Sequence, residues 1–238
     1  MNEPFRFKQF TVEQDRCAMK IGTDGVLLGA WTTLDHNPGS ILDIGSGTGV
    51  IALQMAQRST ANSIDAIELD PDAFEQCTEN FEASPWKDRL FCYHASVQEF
   101  TAEMDMKYDL IVSNPPFYND EYKSNNPARD LARFTDTLPF DHLFLCAIQL
   151  LAWGGKFAVV VPKKEQENIV TIASKHSLHP NRVCEVRGTP DSEVKRVLME
   201  FSREKFRSPI LEKLIIENDR HNYTDSYLNL VKDFYLKM

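Results

Sequence analysis

Ile41-Leu42-Asp43-Ile44-Gly45-Ser46-Gly47-Thr48-Gly49 is the stretch that decides how this chain folds. Ser40 to Ile44 reads as a short buried strand, three alternating glycines follow, and an apolar helical run extends from Val50 to Gln57. A strand that breaks into a Gly-rich turn and then a helix opens a nucleotide-binding α/β sheet. Glycine lets the backbone turn tightly there and lets a ligand approach without meeting a Cβ. The spacing narrows the ligand. Counted from Gly45, a dinucleotide fingerprint G-x-G-x-x-G needs its third glycine at position 50, where the chain has Val50. The pattern is G-x-G-x-G instead, with Asp43 in the strand just before it. No pyrophosphate needs to rest on such a turn, and a carboxylate beside it suits a ligand with a cationic end.

Working outward, 238 residues with 42% hydrophobic and 26% charged side chains describe one soluble globular α/β domain. No apolar run reaches membrane-spanning length, and Met1 to Gln9 lacks the hydrophobic stretch of a signal peptide. Cys17, Cys77, Cys92, Cys146 and Cys184 lie far apart with no C-x-x-C, which predicts reduced thiols in a cytoplasmic protein. The six histidines have no ligand spacing with them, so no metal is expected. A net charge of −9 argues at first against a nucleic-acid partner. The charge is unevenly spread, however. Residues 61–110 hold twelve acidic and three basic side chains, whereas 151–207 hold eleven basic and seven acidic ones. One edge is acidic, and another can meet phosphate.

Either side of the Gly loop the chain alternates strands and helices. Phe5 to Phe10 alternates polar and aromatic residues, as a short edge strand or hairpin does. Val26 to Trp31 reads as a helix with Thr23 or Asp24 as its N-cap. Ser63 to Leu69 is the second strand, ending in Glu68. That acid lies 19 residues after Gly49, where a carboxylate can accept both ribose hydroxyls of a nucleoside. Pro71 starts the next helix. Leu90 to His94 and Tyr108 to Ser113 are strands three and four. Phe140 to Leu151 is a helix, Gly154-Gly155 a turn, Lys156 to Val161 strand five and Lys163 to His176 a helix. Arg182 to Arg187 and Val194 to Ser202 form a hairpin. The tail from Tyr223 to Leu236 has helical periodicity and should pack back on the sheet.

Strand four runs straight into Asn114-Pro115-Pro116-Phe117. In an open α/β sheet, a loop leaving strand four faces the Gly loop leaving strand one. Two prolines fix φ and hold Asn114 extended, so the loop is stiff and aims the Asn114 side-chain oxygen and the Pro115 carbonyl at one point. Two convergent acceptors suit an –NH2 group whose lone pair is tied up in an attached π system. Accepting both hydrogens favours a more pyramidal nitrogen and frees the lone pair. Phe117 suits stacking on a flat substrate. The following stretch, Tyr118 to Pro139, is too long for a spacer and carries Arg129 and Arg133.

The G-x-G-x-G loop with Asp43 resembles the cofactor loop of class I S-adenosylmethionine-dependent methyltransferases. Asn-Pro-Pro-Phe resembles the motif of amino methyltransferases that act on adenine N6, guanine N2 or glutamine N5. With Phe-Arg-Phe-Lys-Gln-Phe, Met-Lys-Ile-Gly-Thr-Asp-Gly and Arg-Gly-Thr-Pro, the resemblance covers almost the whole chain. The chain closely resembles the bacterial tRNA1(Val) (adenine-37-N6)-methyltransferase family. This implies a Rossmann-like fold, with a seven-stranded, mostly parallel sheet closed by an antiparallel hairpin. It divides the chain into an N-terminal segment (1–35), a core (36–207) and a packed tail (208–238). The implied cofactor is S-adenosylmethionine, held by Lys20, Thr23, Asp24 and Gly25 over its methionine end. Asp43, Gly45, Ser46, Gly47 and Gly49 form the loop, and Glu68 and Leu69 take the ribose side. Ser96 and Val97 are implied at the adenine, and Asn114 contacts cofactor and substrate. Asn114, Pro115, Pro116 and Phe117 are the implied catalytic set, tRNA the implied partner and a monomer the expected state. Two alternatives stay open: a glutamine-N5 enzyme acting on release factors and a guanine-N2 enzyme acting on ribosomal RNA. A basic rim of Arg129, Arg133, Arg203 and Arg207 is expected around the pocket.

Overall fold

A computed structural model describes residues 3–116 and 138–237 of the chain. Phe117, Arg129, Arg133 and nearly all of the connection between strand four and the next helix lie outside the described residues.

The continuous apolar runs become the strands of one sheet. Ser40–Ile44 (β3), Ser63–Glu68 (β4), Leu90–His94 (β5) and Tyr108–Ser113 (β6) match the sequence reading almost residue for residue. Leu151–Pro162 (β7), His179–Arg187 (β8), Val194–Ser202 (β9) and Ile210–Ile215 (β10) complete it. Their order is β10-β8-β9-β7-β6-β3-β4-β5. β3, β4, β5, β6 and β7 pair in parallel, while β9 runs antiparallel to both β7 and β8.

Eight strands stand where seven were expected. The additional one is β10, which pairs in parallel with β8 at the sheet edge. Gly154 and Gly155 do not form a turn. β7 runs through them, and a Cβ on Gly155 would lie 2.9 Å from the Tyr108 carbonyl oxygen, so glycine lets the two strands close up where their register shifts.

Helices cover both faces. Thr23–Trp31 (α1), Val50–Arg58 (α2) and Pro71–Glu82 (α3) lie on one side, packed on Ile41, Ile64, Leu110, Val160 and Leu198. Val97–Glu103 (α4), Phe140–Leu150 (α5) and Gln166–Lys175 (α6) lie on the other, packed on Leu42, Ile111, Phe157, Val159 and Val197. These two sets alternate along each strand, as the two-residue period requires. The helix expected from Lys163 begins as a 3-10 turn, Lys163–Glu165, and becomes α-helical at Gln166.

α1 starts earlier than its apolar run suggests. Gly22 is the N-cap and makes no side-chain cap bond, so neither Thr23 nor Asp24 caps it. Asp24 instead accepts a hydrogen bond from Arg196 Nε at 2.6 Å, tying α1 to β9.

The N-terminal hairpin, Phe5–Arg6 (β1) with Thr11–Val12 (β2), is as expected. It meets the C-terminal tail: Phe7 bridges Tyr235, and the Lys8 N–H donates to the Phe234 carbonyl at 2.8 Å. Phe7 stacks on Phe10 and on Tyr235 there, and Phe5 meets Phe7 tilted and Tyr235 edge-on. The tail itself holds a helix, Asp225–Val231 (α7), capped by the Thr224 hydroxyl and packed against α1 and β10.

Candidate active site

The strand order reverses between β3 and β6, because β4 and β5 lie on one side of that pair and β7 on the other. Ile44 and Ser113 are register partners, so the two loops leave the sheet side by side. The Ser113 hydroxyl donates to the Ile44 carbonyl at 2.8 Å and locks the two strand ends together. This is where an open α/β sheet binds its ligand, and a cavity of about 510 Å3 lies there. Volumes of this order accommodate cofactors and small substrates.

The Gly loop forms one wall. Gly45, Gly47 and Gly49 all have positive φ, at 72°, 53° and 78°. Their side-chain directions differ. At Gly45 and Gly47 a Cβ would meet no atom within 4 Å, and both residues line the cavity. At Gly49 a Cβ would sit 2.6 Å from a Phe81 ring carbon and 2.8 Å from Cys77 Sγ. Two glycines leave room for a ligand; the third lets α3 pack. The Gly45 and Ser46 N–H groups donate to the Ile67 carbonyl at 2.9 and 3.1 Å, which anchors the loop to β4.

Glu68 faces the loop from the end of β4. Its Oε2 accepts from the Gly47 N–H at 2.7 Å, and its Oε1 from the Leu69 and Asp70 N–H groups at 2.8 and 2.9 Å. The carboxylate therefore sets both its own turn and the Gly loop, at the cavity wall.

Asp43 lies behind that wall, fully buried. Its Oδ2 accepts from the Ala52 N–H in the first turn of α2 at 3.1 Å, while Oδ1 has no partner. Burial pushes the carboxyl up to about 7, against the opposing pull of the Ala52 bond, and the charge on Glu68 adds to the rise.

Asn114, Pro115 and Pro116 line the cavity opposite Glu68. Asn114 is half-buried, and its amide nitrogen lies 3.7 Å from where a Cβ on Gly25 would be. Leu69, Ser96 and Val97 line it too. The Ser96 hydroxyl has a structural task, since it accepts from the Glu99 N–H and donates to the Glu99 carboxylate at 2.7 Å, capping α4.

The structure thus brings Gly45, Gly47, Glu68, Leu69, Ser96, Val97, Asn114, Pro115 and Pro116 to one cavity. Lys20, Thr23, Asp24, Asp43, Ser46 and Gly49 are not on its wall, and Gly25 touches it only through Asn114. The segment before β3 contributes Cys17, Ala18 and Met19 instead. Gln98 was also missed. Nothing in the local sequence marks these four: Cys17, Ala18 and Met19 arrive on the N-terminal arm, which Arg16 ties to Glu75 and Gln76 of α3, and Gln98 arrives in the first turn of α4. Cys17 is no nucleophile: burial, with Glu68 and Asp70 nearby, pushes its thiol up to about 11. Among the described residues no group of three or more His, Cys, Asp or Glu side chains is placed to hold a metal, and no helix is long and apolar enough to cross a membrane.

A sheet with this strand order, a glycine cradle after its central strand and Asn-Pro-Pro after the neighbouring one define a Rossmann-like methyltransferase. A family model, the methyltransferase small domain, matches residues 22–174. Relatives at high identity share one name, tRNA1(Val) (adenine(37)-N6)-methyltransferase. One from Flavobacterium psychrophilum is 57% identical over 234 residues, spanning 98% of this chain and 100% of its own length. One from Christiangramia forsetii is 53% identical over 239 residues, spanning 100% and 99%. This chain belongs to that family of methyltransferases. Solved structures share the fold at much lower identity. A predicted O-methyltransferase from Agrobacterium tumefaciens superposes with a TM-score of 0.65 at 18% identity, covering 89% of this chain and 96% of its own. A ribosomal protein L11 methylase from Lactobacillus delbrueckii gives 0.54 at 16%, covering 76% and 77%.

Proposed function

We propose that this protein methylates the exocyclic N6 amino group of adenine in tRNA, at adenine 37 of a valine tRNA, with S-adenosylmethionine as methyl donor. The observation that carries the reading is the placement of Asn114 and Pro115 on the same cavity as Gly45, Gly47 and Glu68. A cofactor cradle and a pair of amino-group acceptors then address one volume.

The residues present fit that cofactor. Gly45 and Gly47 leave open space where side chains would stand. Glu68 has an acceptor position to spare beyond the three N–H groups it already binds, since a carboxylate offers about four. That one position can take one ribose hydroxyl, not both as the sequence alone suggests. Leu69, 49% exposed, and Met19, 59% exposed, present apolar surface to a purine. S-adenosylmethionine supplies a methyl group already activated by its sulfonium. What remains for the protein is positioning.

Asn114 does most of that. Its side-chain oxygen and the Pro115 carbonyl accept the two amino hydrogens of the base, which draws the nitrogen toward a pyramidal geometry and frees its lone pair. Pro115 and Pro116 keep the acceptors from drifting. Asn114 has no basic group, and none is needed, because the amino proton becomes acidic as the nitrogen gains its new bond. The unpartnered Asp43 oxygen adds a negative field behind the Gly loop when ionised, which favours a cationic ligand there.

Labelled cofactor incubated with total tRNA, ribosomal RNA and release factor separates the candidates. The expected product is N6-methyladenosine in tRNA. N2-methylguanosine in ribosomal RNA or N5-methylglutamine in release factor would replace this reading with one of the alternatives.

A further inference from the structure

The N-terminal arm that brings Cys17, Ala18 and Met19 to the cavity has no regular structure of its own. Residues 13–22 form neither helix nor strand, and no backbone–backbone hydrogen bond joins 13–19 to the rest of the described residues. Side-chain amides hold the arm instead. The Glu13 N–H donates to Asn80 Oδ1 at 2.8 Å, and Asn80 Nδ2 donates back to the Glu13 carbonyl at 2.9 Å. One turn earlier on α3, Gln76 Oε1 accepts from the Arg16 N–H at 2.9 Å. Within the arm, Gln14 Oε1 accepts from the Ile21 N–H at 3.1 Å and closes the loop that carries Met19.

Asn80 does more than pair with the arm. Its Nδ2 also donates to the carbonyl of Thr48, between Gly47 and Gly49, at 2.9 Å. Both amide hydrogens and the oxygen are then in use, a set that only a primary amide side chain can offer. The partners fix its orientation. Turned over, the amide would set its own N–H against the Glu13 N–H and its oxygen against two carbonyls. Asn80 is 2% exposed and Gln76 1%, four residues apart on one face of α3. Asparagine is a weak helix former, and buried amides beside Ala73, Cys77 and Phe81 stand where apolar side chains would pack without polar groups to satisfy. Their bonds to the arm and the Gly loop account for both.

We propose that Asn80 is a positioning residue for cofactor binding: through it the N-terminal arm and the Gly loop hold one another, so that Met19 and Gly47 border one cavity. The inference rests on the reading of this cavity as the S-adenosylmethionine site. Asn80 is not on the cavity wall, so it acts only through what it holds. An arm without a backbone ladder is costly to order by itself. Anchored to α3 and to the Gly loop by one amide, it meets the ligand as part of a wall already assembled, and binding is spared the cost of ordering it.

The test is a double-mutant cycle on the full chain, Asn80→Leu and Met19→Ala singly and together, read by calorimetry with S-adenosylhomocysteine. Leucine keeps the branched shape of asparagine and removes all three hydrogen bonds. The expected result for Asn80→Leu is binding weaker by about tenfold or more. The double variant should fall well short of the product of the two single losses, because a displaced arm no longer brings Met19 to the site. Turnover of Asn80→Leu at saturating cofactor should stay near wild type while its Michaelis constant for cofactor rises. Tyr108→Phe, which removes a buried bond to Asp65 at the other end of β6, controls for lost stability and should bind like wild type. Trypsin gives a readout that needs no variant. Arg16 and Lys20 lie in the loop that carries Met19, and S-adenosylhomocysteine should slow cleavage after both. Fully multiplicative losses, unchanged affinity in Asn80→Leu, or wild-type cleavage that the analogue does not slow would each overturn the inference alone. Wild-type protein that binds no S-adenosylhomocysteine would overturn the reading of the cavity, and the inference with it.

Discussion

Glu68 and Gly47, 21 residues apart in sequence, are joined by a 2.7 Å hydrogen bond from the Gly47 N–H to Glu68 Oε2. The same carboxylate also holds the Leu69 and Asp70 N–H groups. A side chain that was expected only to meet a ribose therefore also shapes the loop and the turn that form the cofactor cradle.

That dual task changes what its removal should do. From sequence, Glu68→Ala is expected to weaken cofactor binding with little loss of stability. Three hydrogen bonds to one ionised acceptor make a stability loss of about 1–3 kcal/mol the better expectation, alongside at least a tenfold loss of cofactor affinity. Urea unfolding and calorimetry read the two separately. Unchanged affinity in a destabilised variant would leave Glu68 a purely structural residue.

Asn114→Ala should separate chemistry from binding. An acceptor that works best as the nitrogen pyramidalises belongs to the transition state. Its loss should cost on the order of 3 kcal/mol, a hundredfold or more in turnover, while cofactor affinity hardly moves. Single-turnover rates on unmodified tRNA provide the measurement. Near-normal turnover would reduce Asn-Pro-Pro to an ordinary turn.

The glycines divide by what lies beside them. Gly49→Ala would place a methyl group 2.6 Å from Phe81 at a φ of 78°. Backbone strain and overpacking together should destabilise the fold by roughly 2–5 kcal/mol. Gly47→Ala meets open space at a φ of 53°, so backbone strain alone should cost about 1–2 kcal/mol. Its main effect should be on cofactor affinity, since the methyl group enters the cavity. Equal stability losses in the two variants would contradict the assignment.

Asp43 should leave a mark on stability against pH. Its folded value, about 7, lies above its ordinary 3.8. Between those values the folded protein holds a proton that the unfolded chain has released. The associated stability is fully present below about pH 4 and is lost as pH rises through 7, at up to about 1.4 kcal/mol per pH unit. Buried Asp65, raised by desolvation against the Tyr108 bond, acts in the same sense. Asp43→Asn keeps an acceptor for the Ala52 N–H and should flatten the profile in part, making the variant relatively more stable at pH 8 than at pH 5. Urea midpoints at the two pH values decide it; parallel profiles would show that Asp43 does not titrate in this range.

Much of this was legible because buried parallel strands announce themselves. Ser40–Ile44 and Tyr108–Ser113 have interiors that are apolar but for Asp43 and Asp109, with turn residues at their ends, and their bounds could be read directly. Ile210–Ile215 could not: Ile210 and Leu211 are 63% and 76% exposed, so the strand carries little burial pattern. The Gly loop and Asn114 were found because their chemistry is local in sequence. Cys17, Ala18 and Met19 reach the cavity only through tertiary packing. Of the expected basic rim, Arg129 and Arg133 lie outside the described residues, while Arg203 and Arg207 stand away from the pocket for a geometric reason. Counting charge along 151–207 pools both ends of β9, but that strand starts at the Asn114 end of the sheet and finishes at the far end. Arg203, just past its end, donates instead to the Ile148 carbonyl in the last turn of α5. Arg207 follows in the same segment, away from the site.

The bridge between Phe7 and Tyr235 spans nearly the full sequence. Closing so long a loop carries the largest entropic cost in the chain and returns only a few contacts until the sheet exists. The two end segments should therefore join after the core has formed. In hydrogen exchange their amides, Lys8 among them, would open well before those of β3 and β6, giving the molecule a seam that parts first under heat or denaturant.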